Sequence, residues 1–225
     1  MTYEVISTGS IGNAVLLNGK YLFDCGVSYK KLKPYIKRLS VVFLTHIHGD
    51  HFKIQTISRI HRDRPMVRFA CSKNLLVPLC TECGVDPKNV VLVTPGEFAE
   101  IHFGPESIRI QAFDLIHNVE NVGWAVEVQG GEEPGKALYA TDTQYIPVCA
   151  PGLDLYMVEC NYHMDELLRR KERKMQDGKF SYEDTVAASH MSQETVTNWL
   201  KQNARPDSEV VFLHQHVERG CESVG

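Results

Sequence analysis

No stretch of this 225-residue chain comes near the ~18 consecutive apolar residues of a membrane-spanning helix, so no membrane role is expected. The opening, MTYEVISTGSIGNAV, has neither the basic start nor the long apolar core of a secretory leader. An excess of positive charge is missing too: 24 Lys and Arg stand against 28 Asp and Glu, a formal net charge of −4. A protein held on nucleic acid by bulk charge would be strongly basic. A long polyanion is therefore not the favoured partner, although a local basic groove is compatible with this balance. Linkers, low-complexity tracts and short-period repeats are also absent, and the seven cysteines are odd in number and scattered. A chain this long needs no disulfide staples, so the cysteines read as reduced thiols and the expected address is the cytoplasm. Length and a hydrophobic content of 43% suit one domain, residues 1–225, with a sizeable core. Histidine is the residue in surplus, with ten.

Short apolar runs at 3–7, 14–17 and 21–23 alternate with turn formers, Gly9 to Asn13 and Asn18-Gly19, and predict a strand meander. Ser28 is placed to cap a helix running toward Leu39, with Leu32, Ile36 and Leu39 on one face. A buried-type strand at 41–44 follows, then a helix (53–61), a strand (67–70), a helix (73–83) and a strand (90–93). The second half repeats this logic with strands at 108–116, 122–128, 137–140 and 155–158 and helices at 164–174 and 192–203. Ser192 is the expected N-cap of the latter helix, and a last strand covers 209–213. Strands alternating with helices predict a layered α/β fold built from two halves alike in pattern but not in sequence.

His46, His48, Asp50 and His51 crowd into six residues directly after the strand at 41–44. Side chains alternate along a strand, so His46 and His48 face the same way, while Asp50 and His51 can turn back toward a second ion. Imidazole nitrogen and carboxylate oxygen together suit zinc, and also manganese, iron or nickel. A polar loop that merely happens to be His-rich is the plainer alternative, and three histidines with an aspartate at a strand end argue against it. Thr45-His46-Ile47-His48-Gly49-Asp50-His51 matches the HxHxDH signature of the metallo-β-lactamase superfamily, and the resemblance extends along most of the chain. Asp24-Cys25-Gly26 resembles the strand-end DxG that the family places behind its metals. His117, Asp142 and His214 fall where the family has its later ligands. The resemblance implies a four-layer αββα sandwich holding two divalent ions, Zn²⁺ or alternatively Mn²⁺. It gives one ion His46, His48, His117 and Asp142, and the other Asp50, His51, Asp142 and His214. His216 is an alternative to His214.

Met157-Val158-Glu159-Cys160-Asn161 and Ser189-His190-Met191-Ser192 resemble motifs of the ribonuclease Z branch, in which the glutamate orients the histidine and the histidine protonates the leaving oxygen. Such an acid contributes ~100–10,000-fold where the leaving group is a poor one, as in a phosphodiester. A thioester hydrolase expels a thiolate and needs it less. The implied catalytic set is Asp50, Glu159 and His190. Ser7 to Asn13, followed by Ala14-Val15, resembles the GSxGNA opening of small superfamily members. These include exonuclease-like proteins and phage anti-Pycsar phosphodiesterases that cleave 3′,5′-cyclic mononucleotides. Ser10 and Asn13 are the substrate contacts suggested by that resemblance. The expectation is a phosphodiesterase that turns a small cyclic nucleotide into a 5′-nucleotide with a two-metal-activated hydroxide, acting as a homodimer in a bacterial cell or phage-infected host. A nuclease is the alternative, and a thioester hydrolase the next. The basic run Arg169 to Lys174, with Lys179, reads as a solvated helix face before a phosphate contact. Cys80 and Cys83 form a lone CxxC of buried thiols. Tyr162 and Trp124 read as core aromatics ahead of base-stacking ones, and His61, His102 and His163 as surface or cap residues.

Overall fold

A computed structural model describes residues 1–178 and 180–215. Six strands form the first sheet: β1 (Tyr3–Ser7), β2 (Ala14–Leu17), β3 (Tyr21–Phe23), β4 (Val41–Phe43), β5 (Arg68–Cys71) and β6 (Val90–Leu92), side by side in that order. The second sheet holds β7 (Phe98–Phe103), β8 (Glu106–Leu115), β9 (Asn121–Gln129), β10 (Gly135–Ala140), β11 (Leu155–Glu159) and β12 (Glu209–Leu213), again in sequence order. Each sheet begins as an antiparallel meander and ends parallel, from β3 to β6 and from β10 to β12. Parallel neighbours require crossovers. In the first half these carry α1 (Tyr29–Leu32), α2 (Ile54–Asp63) and α3 (Lys73–Thr81). In the second, α4 (Met164–Gln176), α5 (Glu183–Ser189) and α6 (Gln193–Asn203) join β11 to β12.

Period-two alternation sorts the side chains into layers. Val15, Leu17, Tyr21, Phe23, Val41 and Phe43 enter the core between the sheets, where they meet Ile108, Trp124, Tyr139 and Met157. Their neighbours Leu16, Leu22 and Val42 face the opposite way, into the core beneath α1–α3. A third cluster, including Leu138, Tyr156, Val158 and Leu200, lies under the second set of helices. The result is the expected αββα stack. Between the sheets, the Phe23 ring stacks on Phe43 at 4.8 Å and on Tyr139 at 4.9 Å, and Trp124 donates to the Leu44 carbonyl at 3.2 Å. At the edge where β1 begins, Thr2 is pinned through its amide and hydroxyl to Glu133, both at 2.7 Å.

The structure departs from the sequence reading in four places. The helix predicted over 28–39 is only four residues long, followed by a separate 3-10 turn at Ile36–Arg38. Pro34 lies between them and has no N–H to continue the ladder, and Ser28 makes no side-chain cap. Leu32, Ile36 and Leu39 are nonetheless all buried, so the apolar face survives the break. Strand β7 was not anticipated: it is an edge strand with only Ile101 buried, so its hydropathy carries little alternation. Helix α5 was also missed, because its one buried residue is Glu183. Cys80 is only partly buried, unlike Cys83. Lys179 and the stretch 216–225, which includes His216, lie outside the described residues. Among the described residues, no helix is long and apolar enough to cross a membrane.

Candidate metal centre

Every proposed ligand follows the carboxyl end of a strand at one shared edge of the sandwich, where open α/β sheets place their ligands. Asp24 follows β3, His46 comes after β4, His117 after β8, Asp142 after β10 and His214 after β12, while Glu159 closes β11. Asp24, Asp142 and His214 each turn out of the strand with a left-handed backbone, φ 60°, 55° and 55°. Such a conformation costs a non-glycine residue ~1–3 kcal/mol and persists where surrounding structure enforces it. Here it aims each side chain sharply back across the strand ends.

Three loops lock together around this edge. Gly26 lies so close to the Asp50 carbonyl that any Cβ would overlap it, and a Cβ on Gly12, at φ +130°, would come within 2.4 Å of the Gly26 carbonyl oxygen. Asn13 binds the assembly from within. Its amide N–H donates to the Asp50 carbonyl at 2.7 Å, its side-chain oxygen accepts from the Gly9 amide at 2.8 Å, and its Nδ2 lies 2.7 Å from His51 Nε2. Only 2% of Asn13 is exposed. The residue expected to touch substrate therefore acts as a brace for the loops, whereas Ser10 sits exposed at the tip of its loop.

His46 Nε2 lies 3.1 Å from His48 Nδ1, which in turn lies 3.3 Å from His117 Nε2. One proton can satisfy only one such contact, whereas a cation satisfies all three nitrogens. Ligand nitrogens ~2.0–2.1 Å from a tetrahedral zinc sit about 3.3 Å apart, so this cradle has the right size. Burial first, and then the neighbouring positive charge of His51, pushes His46 down to about 2. Burial likewise lowers His117, whose Nδ1 is buried without a hydrogen-bond partner. Both rings are thus neutral, the form that ligates.

Asp142 stands between two groups, with one oxygen toward each. Its Oδ2 is 2.8 Å from His51 Nε2, and its Oδ1 is 3.3 Å from His214 Nδ1. Behind His51, Asp24 accepts from Nδ1 at 2.7 Å and is itself held by the Thr45 amide and hydroxyl and by the Tyr139 hydroxyl, each at 3.0 Å. A carboxylate on one ring nitrogen fixes the tautomer and turns the other toward the ion. Burial opposes the charged form of His51, but Asp24 and Asp142 on its two sides outweigh it and raise its pKa well above the usual value. Burial likewise opposes the charged form of His214, but Glu159 and Asp142 outweigh it and raise its pKa. Asp142 is held far below the carboxylate range, with His51 overcoming the burial effect. The buried carboxylates therefore favour positive charge on the rings between them, in the place where dications would supply that charge.

Ligand atoms fall into three sets, each within 4.8 Å: His46, His48 and His117; His46, His51 and Asp142; and Asp142, Glu159, His190 and His214. Asp50 belongs to none of them, its Oδ2 lying 3.8 Å from His51 Nε2 with the side chain 28% exposed. Glu159 and His190, expected as catalytic residues only, join the last set. Glu159 Oε1 is 2.6 Å from His190 Nδ1 and 3.1 Å from His214 Nδ1, while Oε2 accepts from the Thr143 amide at 2.8 Å. The supporting residues Thr45, Tyr139 and Thr143 escaped the sequence reading. Nothing in their type or spacing marks them, because each acts through a hydrogen bond made across the fold.

The fold has solved relatives. YhfI of Bacillus subtilis, a metallo-beta-lactamase fold protein, superposes with a TM-score of 0.64 at 19% identity, over 95% of this chain and 85% of that one. The short form of human tRNase Z gives 0.62 at 16% identity, over 96% and 93%. By sequence, the chain is 29% identical over 120 residues to Ribonuclease Z of Archaeoglobus fulgidus, a match that covers 48% of this chain and spans only 38% of that relative. A family model for the beta-lactamase superfamily domain matches residues 20–215, from the start of β3 through the last described histidine, and the chain belongs to that family.

Proposed function

We propose that the protein is a metal-dependent phosphodiesterase that hydrolyses small phosphodiesters, 3′,5′-cyclic mononucleotides foremost, to 5′-nucleotides. The observation that carries this reading is the 2.6 Å contact between Glu159 Oε1 and His190 Nδ1 beside Asp142. Bound divalent cations, zinc or alternatively manganese, supply Lewis acidity at the phosphoryl oxygens and an activated water. His190 delivers the proton. With Nδ1 occupied by Glu159, its Nε2 is the nitrogen left to serve the departing 3′ oxygen, and the Thr143 amide keeps Glu159 from following the ring. A phosphodiester needs such an acid, because its alkoxide leaves poorly. Cys25 is no competing nucleophile: it is fully buried, and burial pushes its thiol well above the normal range.

The acidic balance of the chain supports a small substrate over a long polyanion. Degrading a cyclic nucleotide in this way would serve to evade a defence that signals through one. The partial match to Ribonuclease Z favours a second reading, a nuclease acting on RNA or DNA. Turnover of 3′,5′-cyclic AMP and GMP, set against single-stranded oligonucleotides over a salt series, separates the two. The cyclic substrates should be cleaved with little salt dependence. A preference for oligonucleotides that falls steeply with salt would establish the nuclease, and no metal-dependent turnover of any diester would end the enzyme claim.

A further inference from the structure

A cavity of about 250 Å³ opens between β12, α4 and the start of α6, lined by Tyr162, Glu166, Arg170, Gln193, Phe212 and Gln215. Its wall is joined through the chain to the candidate metal centre. Asn161, also on its wall, donates from Nδ2 to the His214 carbonyl at 2.8 Å, and Cys160 and Gln215 directly follow Glu159 and His214.

The lining is chemically uneven. Lys171 and Lys174 of the basic run are engaged by α5, through Asp184 at 2.6 Å and Glu183 at 2.7 Å. Arg170 has no ion pair among the described residues, and its Nε is buried without a hydrogen-bond partner. A guanidinium donor buried in this way calls for an acceptor that the described residues do not provide. Glu166 lies one helical turn before Arg170 on the same face of α4. Phe212 leaves 37% of its surface exposed on an edge strand beside the cavity. Aromatic faces with amides, a free guanidinium and a carboxylate around one cavity form the chemistry of a base-binding pocket.

Resting on the phosphodiesterase reading, we propose that this cavity receives the base of the nucleotide cleaved at the metal centre, and that it takes guanine over adenine. Arg170 donates to the O6 and N7 acceptors of guanine. Glu166 accepts from the ring N–H and exocyclic amine at the adjoining edge of the base. Adenine sets its N6 amino group against Arg170, donor facing donor, and presents no ring N–H to Glu166. Phe212 and Tyr162 cover the flat faces.

Guanosine and adenosine lack phosphate and so report on the cavity without the metals. Calorimetric titration of the full chain should show guanosine binding about tenfold more tightly, a factor within the range of one bidentate base contact. Glu166→Gln and Arg170→Lys should each reduce that preference to about threefold or less. Equal binding of the two nucleosides, no detectable guanosine binding, or a preference that survives both substitutions would overturn the proposal. Hydrolysis of bis(p-nitrophenyl) phosphate by the unsubstituted protein reports separately on the metal centre. Turnover without base preference would sink the cavity alone, and base preference without turnover would sink the phosphodiesterase alone.

Discussion

His190 Nδ1 lies 2.6 Å from the buried Glu159 carboxylate, and that contact makes its role measurable. His190→Ala should lower kcat on a phosphodiester by about 100–10,000-fold while leaving KM within a few-fold. Glu159→Gln keeps the shape but weakens the charge that orients the ring. It should lower kcat less and move the alkaline limb of the pH–rate profile, where a proton-donating residue is lost, a change that a purely structural role would not produce. A thioester substrate, with its better leaving group, should scarcely register either change. At this scale the sequence was most legible where chemistry concentrates: His46, His48 and His51 are recognisable because three ligands fall within six positions. Asp50, from the same run, sits on the turn with its Oδ2 3.8 Å from His51 Nε2 and its side chain 28% exposed. Tyr139 and Thr45 could not be found in advance, since their bonds to Asp24 join positions far apart in the chain.

Among the elements, the glycine-locked loops set the geometry of the site. Gly26→Ala would drive a methyl group into the Asp50 carbonyl, forcing apart the turns that carry Asp50 and Asn13. A loss of more than ~3 kcal/mol is expected from such a backbone clash, read as a lower denaturation midpoint with weakened zinc binding. Gly49→Ala is the matched control, for a Cβ there meets nothing within 4 Å. Strands that cross the core were legible because both faces are buried, as in β2, β4 and β11. Strand β7 and helix α5 were not, since each buries a single residue and so leaves no periodic trace. Pro34 gave a visible signal that the apolar spacing of Leu32, Ile36 and Leu39 obscured: the face was real and the continuous helix was not.

At the level of the whole molecule, the metal centre joins the two sheets. His46, His48 and His51 come from the first, while His117, Asp142 and His214 come from the second. Ions bound there clamp both halves, so zinc at about 100 times its Kd should stabilise the fold by ~2.7 kcal/mol, roughly 5–10 °C in Tm. The pH dependence follows from His51 and His214, both raised in the metal-free fold. Each must lose its proton before it can ligate, so metal affinity falls as pH drops and both become fully protonated. The zinc-induced rise in Tm should therefore be larger at pH 8 than at pH 6, and chelation should abolish it at both. A shift independent of pH would show that these two histidines stay out of the coordination. The layered architecture was the most legible feature of all, because strand alternation and helical crossovers leave few other ways to bury two amphipathic sheets.

Thr2, fastened to Glu133, sits at the end of the sandwich remote from the histidines, since β1 runs from there toward Ser7 and the metal-bearing edge. A biotin or short flexible tether introduced ahead of Met1 would thus anchor the protein to a sensor chip by its blind side. Immobilised in that orientation, it would present its mouth to the flowing solution, and captured molecules would not have to compete with the support for access.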